Sequence, residues 1–431
     1  MRLTRFVLGL FVLATTVAPQ DALMAQTTPP VTALVGGRVY PDPDAPPIDD
    51  AIVMIASGRI TAVGRRAAIA VPAGAAVVDV AGLVITAGFQ NSHVHFTDMT
   101  RWADAGKQPA GTLTNHLREM VTRYGFTTVV DTASDLDNTT ALRRRIESAE
   151  VLGPRVLTAG FAIYPPDGVP YYVRDAVPAE ILRVLPQPAS PAAAQAIVKR
   201  QLDAGASLVK LFVGSWVARG TVLPMPADIA AAAAREAHAR KLPVLAHPSN
   251  LAGLEVALGA GVDVLAHAIE DTRGMTDAHY QRMKNQHMAM IPTLYLFRDR
   301  WMWDVLDEVR TFSRQGGQIL FGTDVGYLPN FDHAIEYDLM AAAGLGWREI
   351  LASLTVNPAE RFGDATRRGR VAVGFEADLV VLGSDPAHGV RNLSDVRYTI
   401  RGGQVIYQRP DDAKVASRGE VNRKQATMPS Q

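Results

Sequence analysis

The hydrophobic positions of this chain change rhythm twice. From Thr32 to Val80 they fall in short β-branched runs broken by glycine and proline, at residues 33–39, 51–55, 58–64 and 76–80. Runs of this kind with turn-forming boundaries predict strands. Pro41 to Pro47 holds too many prolines for regular pairing and predicts a loop. The same texture returns at 377–383, 396–400 and 404–407. Two β-rich flanks, residues 26–86 and 362–410, predict one small β-sandwich assembled from both chain ends. Between the flanks, strand-like runs alternate with helix-like stretches such as 227–240 and 251–258. The first strand runs over 83–85 into a segment ending at His93 and His95. Others are expected at 125–130, 155–159, 207–213, 242–246, 262–266, 288–291 and 318–321. Eight β units with intervening helices over 87–361 predict a TIM-like (β/α)8 barrel, so the expected class is α/β with a small accessory β domain. A doubly wound open sheet is the alternative, but no glycine-rich phosphate loop follows the first strand.

Composition narrows the picture. Arg2 and Arg5 precede an apolar run at 6–18 and small residues ending near Ala25, the pattern of a secretory signal peptide over 1–25. A mature chain starting near Gln26, periplasmic or secreted, is the expectation. The run is short for a membrane span and no second long apolar segment follows, so no membrane contact is expected beyond the export signal. After Arg409 the chain turns polar and aperiodic, and 411–431 reads as a frayed tail. The 43 basic and 43 acidic residues cancel, and no basic stripe points to nucleic acid. A small-molecule or dipeptide-like substrate is expected; the oligomeric state, a homo-oligomer included, is left open. The chain has no cysteine, so any metal ligand has to be His, Asp, Glu or Lys.

The candidate chemistry lies where a barrel gathers it, at the C-terminal ends of the strands. His93 and His95 stand two apart on a strand, so both rings point to one side and can grip one cation. The fifth strand ends at His247, the sixth at His267 and the eighth at Asp324. Alone, His247 or His267 reads more readily as a satisfied core or cap residue than as a ligand, and Asp324 as a turn or cap residue; together they read as a metal site. Lys210 sits inside an apolar strand, where desolvation disfavours its charge. It either snorkels or pairs with a carboxylate, or it stays neutral and captures carbon dioxide as a bridging carbamate. With His93 and His95 on one cation, His247 and His267 on another, and Asp324 nearby, the count supports two divalent metal ions, zinc by ligand type.

These residues resemble the amidohydrolase superfamily, in the branch with Xaa-Pro dipeptidase-like and imidazolonepropionase-like enzymes. The matching motifs are His93-Val-His95, Lys210, Ala246-His247, Ala266-His267 and Gly322-Thr-Asp324, then Thr355-Val-Asn-Pro-Ala359 and Gly374-Phe-Glu-Ala-Asp-Leu-Val-Val381. The resemblance implies attack on an amide carbonyl by a hydroxide held between two cations, with Lys210 as the carbamate bridge and Asp324 as proton shuttle. It departs from the branch at Ala87 and Asn91, where proline and aspartate are usual, and in the loop Val213-Gly-Ser-Trp-Val-Ala-Arg219, where relatives often have a Ser-Gly-Gly turn. Tyr164, Trp216, Arg219, Tyr295 and Arg298 follow strands and are candidate substrate contacts, an arginine suiting a substrate carboxylate. His333 joins them because the branch often has a histidine there. The expected activity is cleavage of a dipeptide or N-acyl amino acid. Opening of a cyclic amide or lactone, and a non-catalytic metal- or ligand-binding barrel, are the alternatives.

Overall fold

In the computed structural model, which describes residues 30–299 and 302–410, both ends of the chain meet in one sheet. The expected signal segment and polar tail lie outside the described residues. The sheet runs from Gln404–Gln408 through Val396–Arg401, Leu379–Leu382, Val84–Ala87 and Val31–Val39 to Ile48–Ala56 and Arg59–Arg65. Ala76–Asp79 pairs beside Val31–Val39. Leu34, Val53, Ile60, Ile85 and Leu379 belong to the apolar cluster along it. This corrects the expected sandwich. Leu379 stands opposite Ala87 and Leu382 opposite Val84, so the two flanks join edge to edge in one hydrogen-bonded sheet instead of stacking as two.

The first inner segment is also two strands where one was expected. Val84–Ala87 belongs to the terminal sheet and Phe89–Val94 to a parallel one. Gly88 is the junction. Its N–H donates to the Asp378 carbonyl at 2.8 Å, and a Cβ there would overlap the Thr127 side chain. Only glycine leaves room for that side chain at the junction.

Seven inner strands form two parallel sheets. One contains Phe89–Val94, Phe126–Asp131 and Arg155–Thr158; the other contains Val209–Phe212, Val244–His247, Val264–Ala266 and Ala289–Ile291. Single parallel bridges cross the gaps, Ile163 to Leu211, Met290 to Ile319 and Val94 to Val325. Among the described residues no continuous ladder closes the set, so the expected closed barrel is met in part. Two gaps remain: one between Arg155–Thr158 and Val209–Phe212, and one at the eighth segment, which is not a ladder strand. Its Phe321 carbonyl accepts from Ser92 N and its Val325 carbonyl from His95 N, both at 2.8 Å. Val130, Ala159, Leu245, Ala266, Ile291 and Leu320 cluster together, one from each of six inner segments. Parallel strands buried on both faces read as continuous apolar runs, which is how these were found.

The helices between follow local rules. Leu251–Ala260 starts at Asn250, whose side chain accepts from Gly253 N at 3.0 Å. It ends at Gly261 in the left-handed region, φ 72°. Ala227–Ala239 is alanine-rich, the composition of highest helix propensity. Among the described residues no helix is long and apolar enough to cross a membrane.

Candidate metal centre

The strand Phe89–Val94 is buried along its whole length and delivers His93 into the interior, with His95 just past its end. The two Nε2 atoms lie 3.2 Å apart. Asp324 Oδ1 lies 3.2 Å from His93 Nε2 and 2.9 Å from His95 Nε2. Three donors of these types converging on one point can hold a metal ion. His95 Nδ1 lies 2.9 Å from the Ala133 carbonyl. A carbonyl only accepts, so Nδ1 carries the proton and Nε2 offers its lone pair. Gly326 lets the Asp324 loop come this near, because a Cβ there would overlap the His95 carbonyl.

The later strand ends complete the cluster. The His267 ring stands 4.5 Å from that of His93 and 4.6 Å from that of His247, centroid to centroid. Thr293 Oγ1 donates to the Pro292 carbonyl and lies 2.8 Å from His267 Nδ1. That hydroxyl has spent its proton, so His267 Nδ1–H donates to it and Nε2 is left free. His247 stacks on Phe212 at 4.6 Å, with an interplanar angle of 16°. Among the described residues, both His247 ring nitrogens and His93 Nδ1 are buried without a hydrogen-bond partner. His247 Nε2 does have the Glu270 carboxylate near, at 3.5 Å, too far for a hydrogen bond. Buried polar atoms seldom go unpartnered, and a bound cation fits this set.

Lys210, on Val209–Phe212, is 2% exposed, which rules out snorkelling. Burial pushes its ammonium down to about 7, against a smaller opposing pull from Asp324. Burial, with Lys210 next, brings His93 down to about 3. Burial and the neighbouring His93 and His247 carry His267 well below the imidazole range. Burial opposes the charge on Asp324, but the His93 and His95 contacts hold its carboxyl below the usual carboxylate range. Burial likewise opposes the charge on His95, which its Asp324 contact nevertheless raises. His93 and His267, held neutral beside an ionised carboxylate, are in the ligand forms that a divalent cation requires. Backbone strain gathers in the same place. His267, Thr293 and Asp324 have φ of 149°, 45° and 59°, a region L-residues rarely occupy.

The candidate substrate residues divide. Tyr164 is buried with its ring 4.7 Å from that of Phe212. Trp216 is half-buried and its indole N–H donates to Glu270. Both stand beside the cluster. Arg219 is exposed and lies over Tyr171 at 5.5 Å. Arg298 is exposed over the Tyr295 ring at 4.4 Å and close to Asp299, so these two residues stack on each other. His333 is a core residue. Its Nε2 donates to the Met120 carbonyl at 2.8 Å, and its ring packs against Tyr124 and Phe126. Loop side chains took these directions from tertiary contacts that local sequence does not encode.

Sequence reasoning missed three residues around the cluster. Tyr327 stands 6.5 Å from the His95 ring and 6.1 Å from Tyr172. Glu270 reaches both Trp216 and His247. Thr293 orients His267. Glu270 carried a signal, an acidic residue three places beyond a strand-end histidine; Thr293 carried none.

Comparison with known proteins agrees with this geometry. The sequence model of the amidohydrolase family matches residues 84–407. An imidazolonepropionase from Thermoplasma acidophilum is 24% identical over 185 residues, 37% of this chain and 44% of that protein, so the match spans less than half of the relative. A Xaa-Pro dipeptidase with bound methionine in its active site superposes with a TM-score of 0.74 at 20% identity, over 88% of this chain and 100% of that one. The A. niger ochratoxinase superposes with a TM-score of 0.73 at 19% identity, over 88% and 96%. At these identities the superpositions establish a shared fold.

Proposed function

We propose that this chain, which belongs to the amidohydrolase family, hydrolyses the C–N bond of an amide, in a dipeptide or an N-acyl amino acid, at the cluster of His93, His95, Lys210, His247, His267 and Asp324. The observation that carries the reading is the convergence of His93, His95 and Asp324 within 3.2 Å beside a lysine that burial keeps near neutrality. The two parallel sheets, their linking bridges and the shared interior support a (β/α)8 barrel.

The residues suit two divalent cations, zinc by ligand type. His93 and His95 would hold one and His247 and His267 the other, with Lys210 between them as a carbamate. When bound, the ions would polarise the substrate carbonyl and make water nucleophilic at neutral pH. Asp324 is ionised and within reach of the same space, so it accepts the proton of the attacking water and returns it to the leaving nitrogen. Tyr164, Phe212 and Trp216 supply aromatic surface beside the cluster. Arg2, Arg5 and the apolar run after them support export to the periplasm or beyond.

Purified protein is expected to contain about two zinc ions per chain and, when made with its native leader, to begin near Gln26. A hydrolysis screen over dipeptides, N-acyl amino acids, lactones and cyclic imides is expected to find amide cleavage. Asp324→Asn should lower kcat by roughly 100-fold or more, and Lys210→Ala should lose metal and activity together. A folded protein that takes up no metal would sink the reading. Cleavage of cyclic imides alone would favour the ring-opening alternative suggested by the imidazolonepropionase match.

A further inference from the structure

One carboxylate in the wall has no task in the hydrolytic chemistry. Glu270 follows His267 on the same strand-end loop, and its side chain is 14% exposed. Oε2 accepts the Trp216 indole N–H, and Oε1 lies 3.5 Å from His247 Nε2. Among the described residues no lysine or arginine forms an ion pair with it. The rings of Tyr172 and Tyr327 stand in the same space. After burial, the Glu270 charge is the next influence raising the Tyr172 hydroxyl, and it also raises that of Tyr327. The two arginines that could have received a substrate carboxylate are exposed and stacked on Tyr171 and Tyr295. The charge of this wall is therefore negative.

We propose that Glu270 anchors a protonated amine carried on the acyl side of the scissile bond, so that the site takes aminoacyl amides and dipeptides with a free N-terminus in preference to N-acylated amino acids. The reaction part of this rests on the hydrolytic reading above; the binding part does not. A carboxylate with one oxygen left over from the Trp216 contact accepts charge-assisted hydrogen bonds from an ammonium. Aromatic faces beside the ammonium add cation–π attraction. Proximity to His247 places that amine next to the carbonyl the cluster would activate, which is where an α-amino group lies. Trp216 is a positioning residue: its indole N–H occupies Oε2 and leaves Oε1 for the ligand.

The test compares leucinamide with N-acetylleucinamide on the metal-loaded full chain, by turnover and, independently, by calorimetric binding. The free amine is expected to show at least about tenfold higher kcat/KM and tighter binding. Glu270→Gln keeps an acceptor for Trp216 but removes the charge. It should lower kcat/KM for leucinamide at least about tenfold more than for the acetylated amide, mainly through KM, with metal content unchanged. Equal use of the two amides by the natural protein would overturn the assignment, as would equal losses in the variant. Loss of metal in Glu270→Gln would make Glu270 a ligand and overturn it too. If neither amide is hydrolysed yet leucinamide binds in a Glu270-dependent way, the hydrolytic reading falls and the amine site stands. If neither is hydrolysed and binding is indifferent to the amine, both fall.

Discussion

His267 depends on a hydroxyl rather than a charge for its useful form. Thr293 gives its proton to Pro292 and so accepts only, which fixes the imidazole with Nε2 free. Thr293→Val keeps the shape and the β-branch but removes the acceptor. Partners that orient a ligating histidine typically contribute 10- to 100-fold in metal affinity, so chelator competition should show a loss of about that size with the far-UV circular dichroism unchanged. An unchanged affinity would separate Thr293 from the site. At this scale the convergence of the cluster was legible. His93 and His95 were readable from the two-residue period of a strand, His247, His267 and Asp324 from their places after apolar runs, and Lys210 from its misfit within one. Arg219, Tyr295, Arg298 and His333 were not, because the direction of a loop side chain is decided by distant neighbours. His333 shows this best: its partner is the Met120 carbonyl, 213 residues earlier in the chain.

At the scale of elements, the helix Ala334–Ala342 serves the site through one side chain. Glu336 accepts from Leu294 N at 2.7 Å and from Tyr295 N at 2.9 Å, and so clamps the turn that carries Thr293. Burial raises its carboxyl to about 7 against those two hydrogen bonds. Between the unfolded value of 4.5 and about 7, the folded chain holds a proton that the unfolded chain has released. The contribution of Glu336 to folding stability therefore falls as pH rises through that window, by up to about 3 kcal/mol. Burial holds His93, His267 and His333 neutral and pulls the whole protein the other way, so the test is a difference: in urea denaturation of the metal-free protein, the stability advantage of the natural chain over Glu336→Gln should be larger at pH 4.5 than at pH 7.5 by about that amount. Gln sets an amide N–H against one of the two backbone donors, so the variant is also expected to lose about 1–3 kcal/mol at every pH. A difference between the two proteins that stays constant with pH would assign the decline to another group. Helix boundaries were legible here, since Ala227–Ala239 and Leu251–Ala260 follow their alanine content and caps. The eighth strand was not, because a short apolar run does not reveal whether its backbone finds a ladder or a single bridge.

For the molecule as a whole, the join between the terminal sheet and the inner strands rests on a compact charge cluster. Arg155, on an inner strand, reaches Glu376 at 2.8 Å and Asp378 at 2.9 Å, and Arg368 reaches Glu376 at 2.8 Å. Their side chains are between 5% and 16% exposed, so removing one partner strands a poorly solvated charge. Arg155→Ala should cost about 2–4 kcal/mol of stability, measured by denaturant unfolding, while leaving metal stoichiometry as it was. A cost below about 0.5 kcal/mol would class the cluster with ordinary surface ion pairs. The pairing of the flanks was foreseen only as a shared origin. Their merger into one sheet was not, since the contacts link residues about 300 positions apart and no local period records them.

That merger sets an order of assembly. Val84 waits for Leu382, and Arg59 for Glu376, so neighbours in the sheet lie about 300 residues apart in the chain. Strands Val31–Val39 and Val84–Ala87 are made early, yet the latter keeps an open edge until Leu379–Leu382 arrives. Long-range pairing is slow, and an unfilled edge invites pairing with other chains. Gly88 then carries the delay inward, because the strand bearing His93 continues directly from the one that waits. The setting of the histidine pair thus depends on the docking of Leu379–Leu382, a strand made about 300 residues later.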